Sequence, residues 1–267
     1  MLLQTALVAG LATSLIFGQM TADGETAATS EVAAAALSVA PVAVVEPSAP
    51  AAAPKAVAGV SGKILFRGEA PAVVKIDMVS DPYCVGAHDG DVGTQSVVVG
   101  ADGGLANVFV SLTGVPDERY KAPKTPVVLD QLGCMYQPHV FGIVKKQDIE
   151  IRNSDDTLHN IHAVPRSNKE FNIGMPEKGM KVTKTFKKDE DSIMIKCDVH
   201  PWMVAYCFSM EHPYFGVSAA DGSVTINNAS DLEDGEYGVR IWHETLGESS
   251  GTVTIEGGAG SFEHIYK

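Results

Sequence analysis

The stretch KCDVHPWM places a cysteine, a histidine and a methionine at intervals of three residues, as Cys197, His200 and Met203. A thiolate, an imidazole and a thioether form a soft donor set that favours copper over zinc. From the composition, a Cys-x-x-His-x-x-Met group arises by chance in about one such chain in 250. The spacing therefore indicates a metal site, although by itself it also permits a redox or a structural role.

A copper site with two histidines, one cysteine and a distant axial methionine requires one more imidazole. The segment NSDDTLHNIHAV (153–164) offers His159 and His162. In an extended strand, residues three apart point to opposite faces, so only one of the two can face the metal. This geometry leaves both candidates open.

Strands must position these residues, because the sequence after residue 58 alternates short apolar runs with turn signals and has almost no helical period. The runs predict strands at 63–68, 95–100, 105–112, 139–144, 148–153, 192–197 and 203–210. The turn between the last two strands would carry the Cys-His-Met group. The predicted fold class is all-β, of sandwich type.

The segments HNIH and CDVHPWM together resemble the cupredoxins, the blue, type 1 copper proteins. Within that family they are most similar to the amicyanins, which share a His-Asn-x-His segment and a compact Cys-x-x-His-Pro-x-Met loop. The likeness covers about residues 136–211 and implies a Greek-key β-sandwich with one copper ion. The implied ligands are His159, Cys197, His200 and Met203. Asn160 is then expected to tie the two ligand loops together, and His162 to be a structural histidine.

The resemblance implies an electron carrier rather than an enzyme, because four protein donors leave no open position for a substrate. Its partner would be a redox protein, and the amicyanin likeness suggests methylamine utilisation as the pathway. We expect His200, flanked by Pro201 and Trp202, to present an apolar edge through which electrons pass. The alternatives are a copper-binding or sensing module without redox turnover, and a metal-free β-sandwich that serves as a binding or adhesion module.

Three further cysteines remain, an odd number for an exported chain. Cys84 and Cys134 both lie in turn-like contexts, which favours a disulfide between them. Cys207 lies in an apolar strand, so we expect a buried free thiol. The alternative for the first two is a second zinc or copper site in which His88 and His139 join them.

The run YGVRIWHE (237–244) brings a histidine next to a carboxylate, which could suggest acid–base chemistry. In a strand, however, Trp242 and Glu244 share one face and His243 takes the other. This alternation argues against a catalytic pair.

The first 24 residues contain an apolar run typical of an export signal peptide, with an uncleaved membrane anchor as the alternative. Both interpretations place the remainder in the periplasm or on the outer cell surface. Residues 25–58 form an Ala/Pro-rich linker. The formal net charge is −13, and −10 of it lies on residues 59–267, which argues against nucleic acid and anionic lipid as partners.

We predict a copper-binding domain at 95–211 with a β segment on either side, at 59–94 and 212–267. The strand SGKILFRG and the later DGSVTI and GEYGVRIW resemble the carboxypeptidase regulatory-like sandwich. We therefore expect the two end segments to pair and to form an additional small β-sandwich, with the copper domain as an insertion or a packed neighbour.

Overall fold

The computed structural model describes residues 59–267, apart from the side chain of Asn227. The predicted signal or anchor at 1–24 and the predicted linker at 25–58 lie outside the described residues. Within 59–267, none of the helices has the length and apolar character needed to cross a membrane.

Sixteen β-strands account for most of the regular structure in the described chain. They are β1 (Gly59–Phe66), β2 (Phe109–Thr113), β3 (Val127–Gln131), β4 (Tyr136–Gln137), β5 (Val140–Val144), β6 (Asp148–Asn153), β7 (His159–Val164), β8 (Phe171–Met175), β9 (Lys181–Thr185), β10 (Glu190–Lys196), β11 (Val204–Met210), β12 (Phe215–Val217), β13 (Ser223–Ile226), β14 (Gly235–His243), β15 (Gly247–Ile255) and β16 (Ala259–Tyr266). A short helix α1 spans Pro82–Gly86, and a 3-10 helix spans Asn227–Asp231. The predicted class, all-β of sandwich type, is confirmed.

Strands β3 to β11 form a central sandwich. One sheet has the order β5-β11-β10-β7-β8 and the other has the order β4-β3-β6-β9. Inward-pointing side chains of both sheets form its apolar core, among them Leu129, Ile151, Ile161 and Ile195. Within the first sheet, Lys196 at the end of β10 pairs with His162 of β7 and with Val204 of β11. The two segments with predicted ligands therefore lie on neighbouring strands.

The two ends of the described chain form a second, flanking sandwich. Strand β1 pairs antiparallel with β13 and parallel with β16, which is the pairing of ends that we expected. The facing sheet has the order β12-β2-β14-β15. Its separate apolar core includes Ile64, Leu112, Val239 and Ile255.

The structure differs from the predicted domain boundary at residue 95. Strand β2 pairs with β12 and β14, so this part of the predicted domain 95–211 belongs to the flanking sandwich. Four of the five residues of β2 are buried, so its apolar run suits either sandwich, and pairing with the long β14 decides between them. The predicted strand 95–100 does not form, because the chain turns back at Gly103 (φ +77°) and leaves only one bridge, between Val99 and Leu105.

Residues 76–92, which we predicted as part of an N-terminal β segment, pack against the central sandwich instead. We call this segment the cap. It contains α1, and it contributes Ile76, Met78 and Cys84 to the central core. A small third core joins the two sandwiches, where Phe109 stacks on Phe208 with ring centroids 3.8 Å apart.

Candidate metal centre

Three of the four predicted ligands converge in the central sandwich. His159 is the first residue of β7, Cys197 follows the last residue of β10, and His200 lies in the β10–β11 loop. One nitrogen of each histidine and the sulfur of Cys197 lie within 4.8 Å of one another. None of the three residues is more than 2% exposed. They form a buried cluster in which a single metal ion could contact all three.

The fourth predicted ligand, Met203, lies at the base of the same loop. The amide of Cys197 donates a hydrogen bond to the carbonyl of Met203 (3.1 Å), and the amide of Met203 donates to the carbonyl of His200 (2.9 Å). Met203 is fully buried. The loop is therefore a compact turn that holds Met203 beside Cys197 through backbone hydrogen bonds.

Asn160 connects the two ligand segments. Its Oδ1 accepts hydrogen bonds from the amide of Asp198 (2.6 Å) and from the thiol of Cys197 (3.2 Å). Its backbone carbonyl accepts a hydrogen bond from the hydroxyl of Tyr136 (2.6 Å). The residue after His159 thus fixes the start of the cysteine loop, which is the contact that the resemblance implied.

Two carboxylates that the sequence analysis missed hold the outer nitrogens of the histidines. Nε2 of His159 lies 2.9 Å from Oδ2 of Asp155, and Nε2 of His200 lies 3.0 Å from Oδ2 of Asp81. Because a carboxylate only accepts hydrogen bonds, both Nε2 atoms carry a hydrogen. Asp155 could have been noticed four residues before His159, whereas Asp81 is 119 residues from His200 and has no local signal.

The Nδ1 atoms of His159 and His200 face each other at 2.9 Å. Two neutral imidazoles would direct lone pairs at each other there, so a proton or a metal cation must lie between or beside them. Burial opposes a charge on His159, but its hydrogen bonds to Asp155 and Cys197 outweigh burial and raise the pKa to about 9. Burial lowers the pKa of His200, although its hydrogen bond to Asp81 opposes the shift. The pair is therefore arranged to hold one positive charge.

The sulfur of Cys197 completes this donor set. Burial alone would raise the pKa of the thiol, but hydrogen bonds from His159 and from the amide of His200 (3.3 Å) lower it. A lowered pKa favours the thiolate, which is the form that binds metal. A thiolate, two imidazole nitrogens and a buried thioether are donors that suit copper.

The expectation of an exposed His200 edge is wrong. His200 is 2% exposed, because Asp81 of the cap contacts its Nε2 and Trp202 packs on its ring, with centroids 5.0 Å apart. The indole nitrogen of Trp202 donates a hydrogen bond to the carbonyl of Cys134 (3.0 Å). Trp202 itself is half-buried. The expectation failed because the sequence motif contains no sign of the cap.

The cap is covalently joined to the central sandwich. Cys84 of α1 forms a disulfide with Cys134, the pairing that the sequence favoured. Cys207 is a buried free cysteine on β11, as expected.

The alternative second metal site is contradicted, since both of its cysteines are in the disulfide. Its two histidines have other partners: Nε2 of His88 contacts the carbonyl of Gly133 at 2.7 Å, and His139 pairs with Glu244. Glu244 therefore faces the central sandwich. Its neighbour His243 is buried beside Tyr266 instead, so the two do not form a catalytic pair.

His162 lies outside the cluster, with its side chain only 16% exposed. Its Nδ1 contacts Asp198 and its Nε2 contacts Glu170, each at 2.9 Å. It is a hydrogen-bonded structural histidine, as the sequence analysis expected once His159 was taken as the ligand.

No family model matches the sequence, and no curated protein matches it. Among solved structures, a copper-containing nitrite reductase from Thermus scotoductus SA-01 is 20% identical over 37% of this chain, with a TM-score of 0.31. The match spans 25% of the reductase. A purple cupredoxin from Nitrosopumilus maritimus is 19% identical over 32% of this chain and 99% of its own, with a TM-score of 0.28.

An amicyanin from Paracoccus versutus is 19% identical over 38% of this chain and 97% of its own, with a TM-score of 0.29. At these TM-scores the similarities carry no argument about function, which must come from the site itself. The methylamine pathway and the likeness of the flanking sandwich to carboxypeptidase regulatory-like domains stay predictions.

Proposed function

We propose that this protein is an exported electron carrier that holds one copper ion. The ligands would be His159, Cys197, His200 and Met203. The observation that most supports the proposal is the pair of Nδ1 atoms 2.9 Å apart beside the sulfur of Cys197, with each Nε2 held by a carboxylate. Bound copper would supply a one-electron Cu(II)/Cu(I) couple.

The surrounding residues would keep the ligands in place and water out. Asp155 and Asp81 fix the two imidazole rings, and Asn160 fixes the start of the cysteine loop. Such outer hydrogen bonds orient metal ligands and set their basicity. With four protein donors there is no open position for a substrate, which supports a carrier rather than an enzyme. The net charge of −10 on residues 59–267 favours a basic redox partner.

A copper-binding or sensing module without redox turnover is the second candidate, and the burial of His200 favours it. An imidazole that is 2% exposed offers a partner protein little direct contact. Electron self-exchange between oxidised and reduced protein separates the two candidates, because it is fast in a carrier and slow in a binding module. A metal-free adhesion module would not require a cysteine sulfur and two inward-facing imidazole nitrogens in one buried cluster.

Visible absorption and EPR spectra after Cu(II) loading test the copper centre. We expect the wild-type protein to retain one Cu(II) and to show an intense thiolate-to-copper band. Cys197→Ser should abolish that band because it removes the thiolate. Cys207→Ser is the matched control, since Cys207 is also a buried free cysteine but lies outside the cluster.

Met203→Gln tests the axial position, since it should shift the reduction potential while the thiolate band persists. Wild-type protein that retains no copper, or a band that survives in Cys197→Ser, would contradict the proposed site. An unchanged potential in Met203→Gln would remove Met203 from the ligand set.

A further inference from the structure

The carboxylate of Asp81 has a defined set of contacts at the start of α1. Its Oδ1 accepts a hydrogen bond from the amide of Tyr83 (2.8 Å) as the N-cap of the helix. Its Oδ2 accepts from the hydroxyl of Thr157 (2.9 Å) and lies 3.0 Å from Nε2 of His200. The side chain is 19% exposed, so the carboxylate lies largely out of water. Asp81 of the cap therefore joins α1, the segment before β7 and the β10–β11 loop that carries His200.

The cap cannot move freely away from His200. The disulfide between Cys84 and Cys134 ties α1 to the central sandwich, and Cys84 is fully buried. The hydroxyl of Tyr83 also donates a hydrogen bond to Oδ1 of Asp155 (3.3 Å), the residue that holds the other histidine. The two carboxylates thus belong to one connected network on the outer side of both imidazole rings.

We propose that Asp81 is a positioning residue of the copper centre, which holds His200 with Nδ1 turned inward and favours the oxidised metal. The inference rests on the proposed function and extends it to a residue outside the sequence motif. A carboxylate on the far nitrogen of a ligand histidine fixes the ring and its tautomer, and makes the ligating nitrogen more basic.

The charge of Asp81 supplies the second effect. A negative charge in a poorly solvated position stabilises a dipositive ion more than a monopositive one. Asp81 therefore lowers the reduction potential and strengthens Cu(II) binding relative to Cu(I). Because the carboxylate contacts Nε2 of His200 and is not one of the proposed ligands, both effects would be transmitted by the imidazole and by the electric field.

The test compares Asp81→Asn with Asp77→Asn in the full-length protein. Asparagine is a good N-cap residue, so α1 should be kept in the first variant. Asp77 is an exposed residue of the same cap without a contact to His200 among the described residues, so it controls for the loss of one charge. We expect Asp81→Asn to weaken Cu(II) affinity about 10- to 100-fold and to raise the reduction potential. Asp77→Asn should change neither by a comparable amount.

A second variant and a measurement on metal-free protein distinguish the role of Asp81 from misfolding of Asp81→Asn. Asp81→Ser keeps an acceptor for the Tyr83 amide and removes the charge, so it should shift the potential in the same direction. In metal-free protein, nitrogen NMR should show a single His200 tautomer with the hydrogen on Nε2 in the wild type, and a mixture in Asp81→Asn.

The outcomes separate the two proposals. If the wild-type protein has no thiolate-to-copper band, the proposed function fails. If the band is present but neither Asp81 variant differs from Asp77→Asn in affinity and potential, the copper site stands and the role of Asp81 is overturned.

Discussion

His159 of the central sandwich and His243 of the flanking sandwich are both almost completely buried, yet their surroundings shift the two pKa values in opposite directions. Their exposed fractions are 0% and 1%, respectively. The carboxylate of Asp155 and the sulfur of Cys197 outweigh burial and raise the pKa of His159 to about 9. Burial lowers the pKa of His243, and the charge of Glu244 only partly opposes the shift.

Both histidines have an acidic residue close in sequence, but only one contacts it. The turn before β7 brings Asp155 to Nε2 of His159. Glu244 is the first residue after β14, and its side chain contacts His139 rather than His243. His243 Nε2 is buried without a hydrogen-bond partner among the described residues. A buried histidine thus suits a metal where a carboxylate holds its outer nitrogen, whereas burial alone favours the neutral imidazole.

Removal of the carboxylate that holds His159 should have the largest effect. Asp155 accepts hydrogen bonds from the amides of Gly133 (2.8 Å) and Cys134 (2.7 Å) as well as contacting His159. Asp155→Asn places an amide NH₂ among these donors and leaves a buried charge unpaired. We expect a loss of about 3–5 kcal/mol in the free energy of unfolding of the metal-free protein, measured by guanidinium denaturation.

Asp156→Asn is the matched control, because Asp156 is the exposed neighbour in the same turn. It should change the free energy of unfolding by no more than about 0.5 kcal/mol. Equal effects of the two substitutions would mean that the buried network around His159 is not what stabilises this region.

A smaller effect is expected from the residue that joins the two ligand segments. Asn160→Ala leaves the amide of Asp198 without its acceptor and frees the start of the cysteine loop. We expect a loss of about 1–3 kcal/mol in the free energy of unfolding and a shifted thiolate-to-copper band. Asn172→Ala removes a contact to Nδ2 of Asn160 (2.7 Å) and one to the carboxylate of Asp198 (2.7 Å) but keeps both hydrogen bonds to Oδ1 of Asn160, so it should leave the band unchanged. A band that shifts equally in both variants would deny Asn160 a particular role.

The sequence predicted the local features and, through a resemblance, the pairing of the two ends, but it missed other long-range contacts. Periodicity predicted the all-β class, and the motif indicated Cys197 and His200 because they share one short loop. The choice of His159 over His162 needed the family resemblance, since spacing alone left both open. Asp81 and strand β2 could not be placed, because their partners in the ligand loop and in β14 are more than 100 residues away. Long-range pairing depends on which apolar faces meet, and a local pattern contains no information on that choice.

The smallest expected effect is the contribution of His243 to the free energy of unfolding, which depends on pH. Its folded pKa lies below the unfolded value of about 6.5, so the unfolded state takes up a proton first as the pH falls. The contribution of His243 to stability is therefore complete above pH 6.5 and decreases below it, by at most about 1.4 kcal/mol per pH unit. Glu244 and His139 are the titratable groups that act on it, and the ring of Tyr266 packs against it.

His243→Asn isolates this contribution. Nδ1 of His243 accepts hydrogen bonds from the amides of Thr245 (3.2 Å) and Leu246 (3.1 Å), and an asparagine Oδ1 can accept both without titrating. Wild type and variant should differ by a constant above pH 6.5, and their free energies of unfolding should converge as the pH falls below it. Burial also lowers the pKa values of His200, His212 and His264, but these titrate in both proteins and cancel in the difference. Parallel curves from pH 8 to pH 5 would mean that His243 is protonated as readily as an exposed histidine, and the contrast with His159 would then not depend on the missing partner.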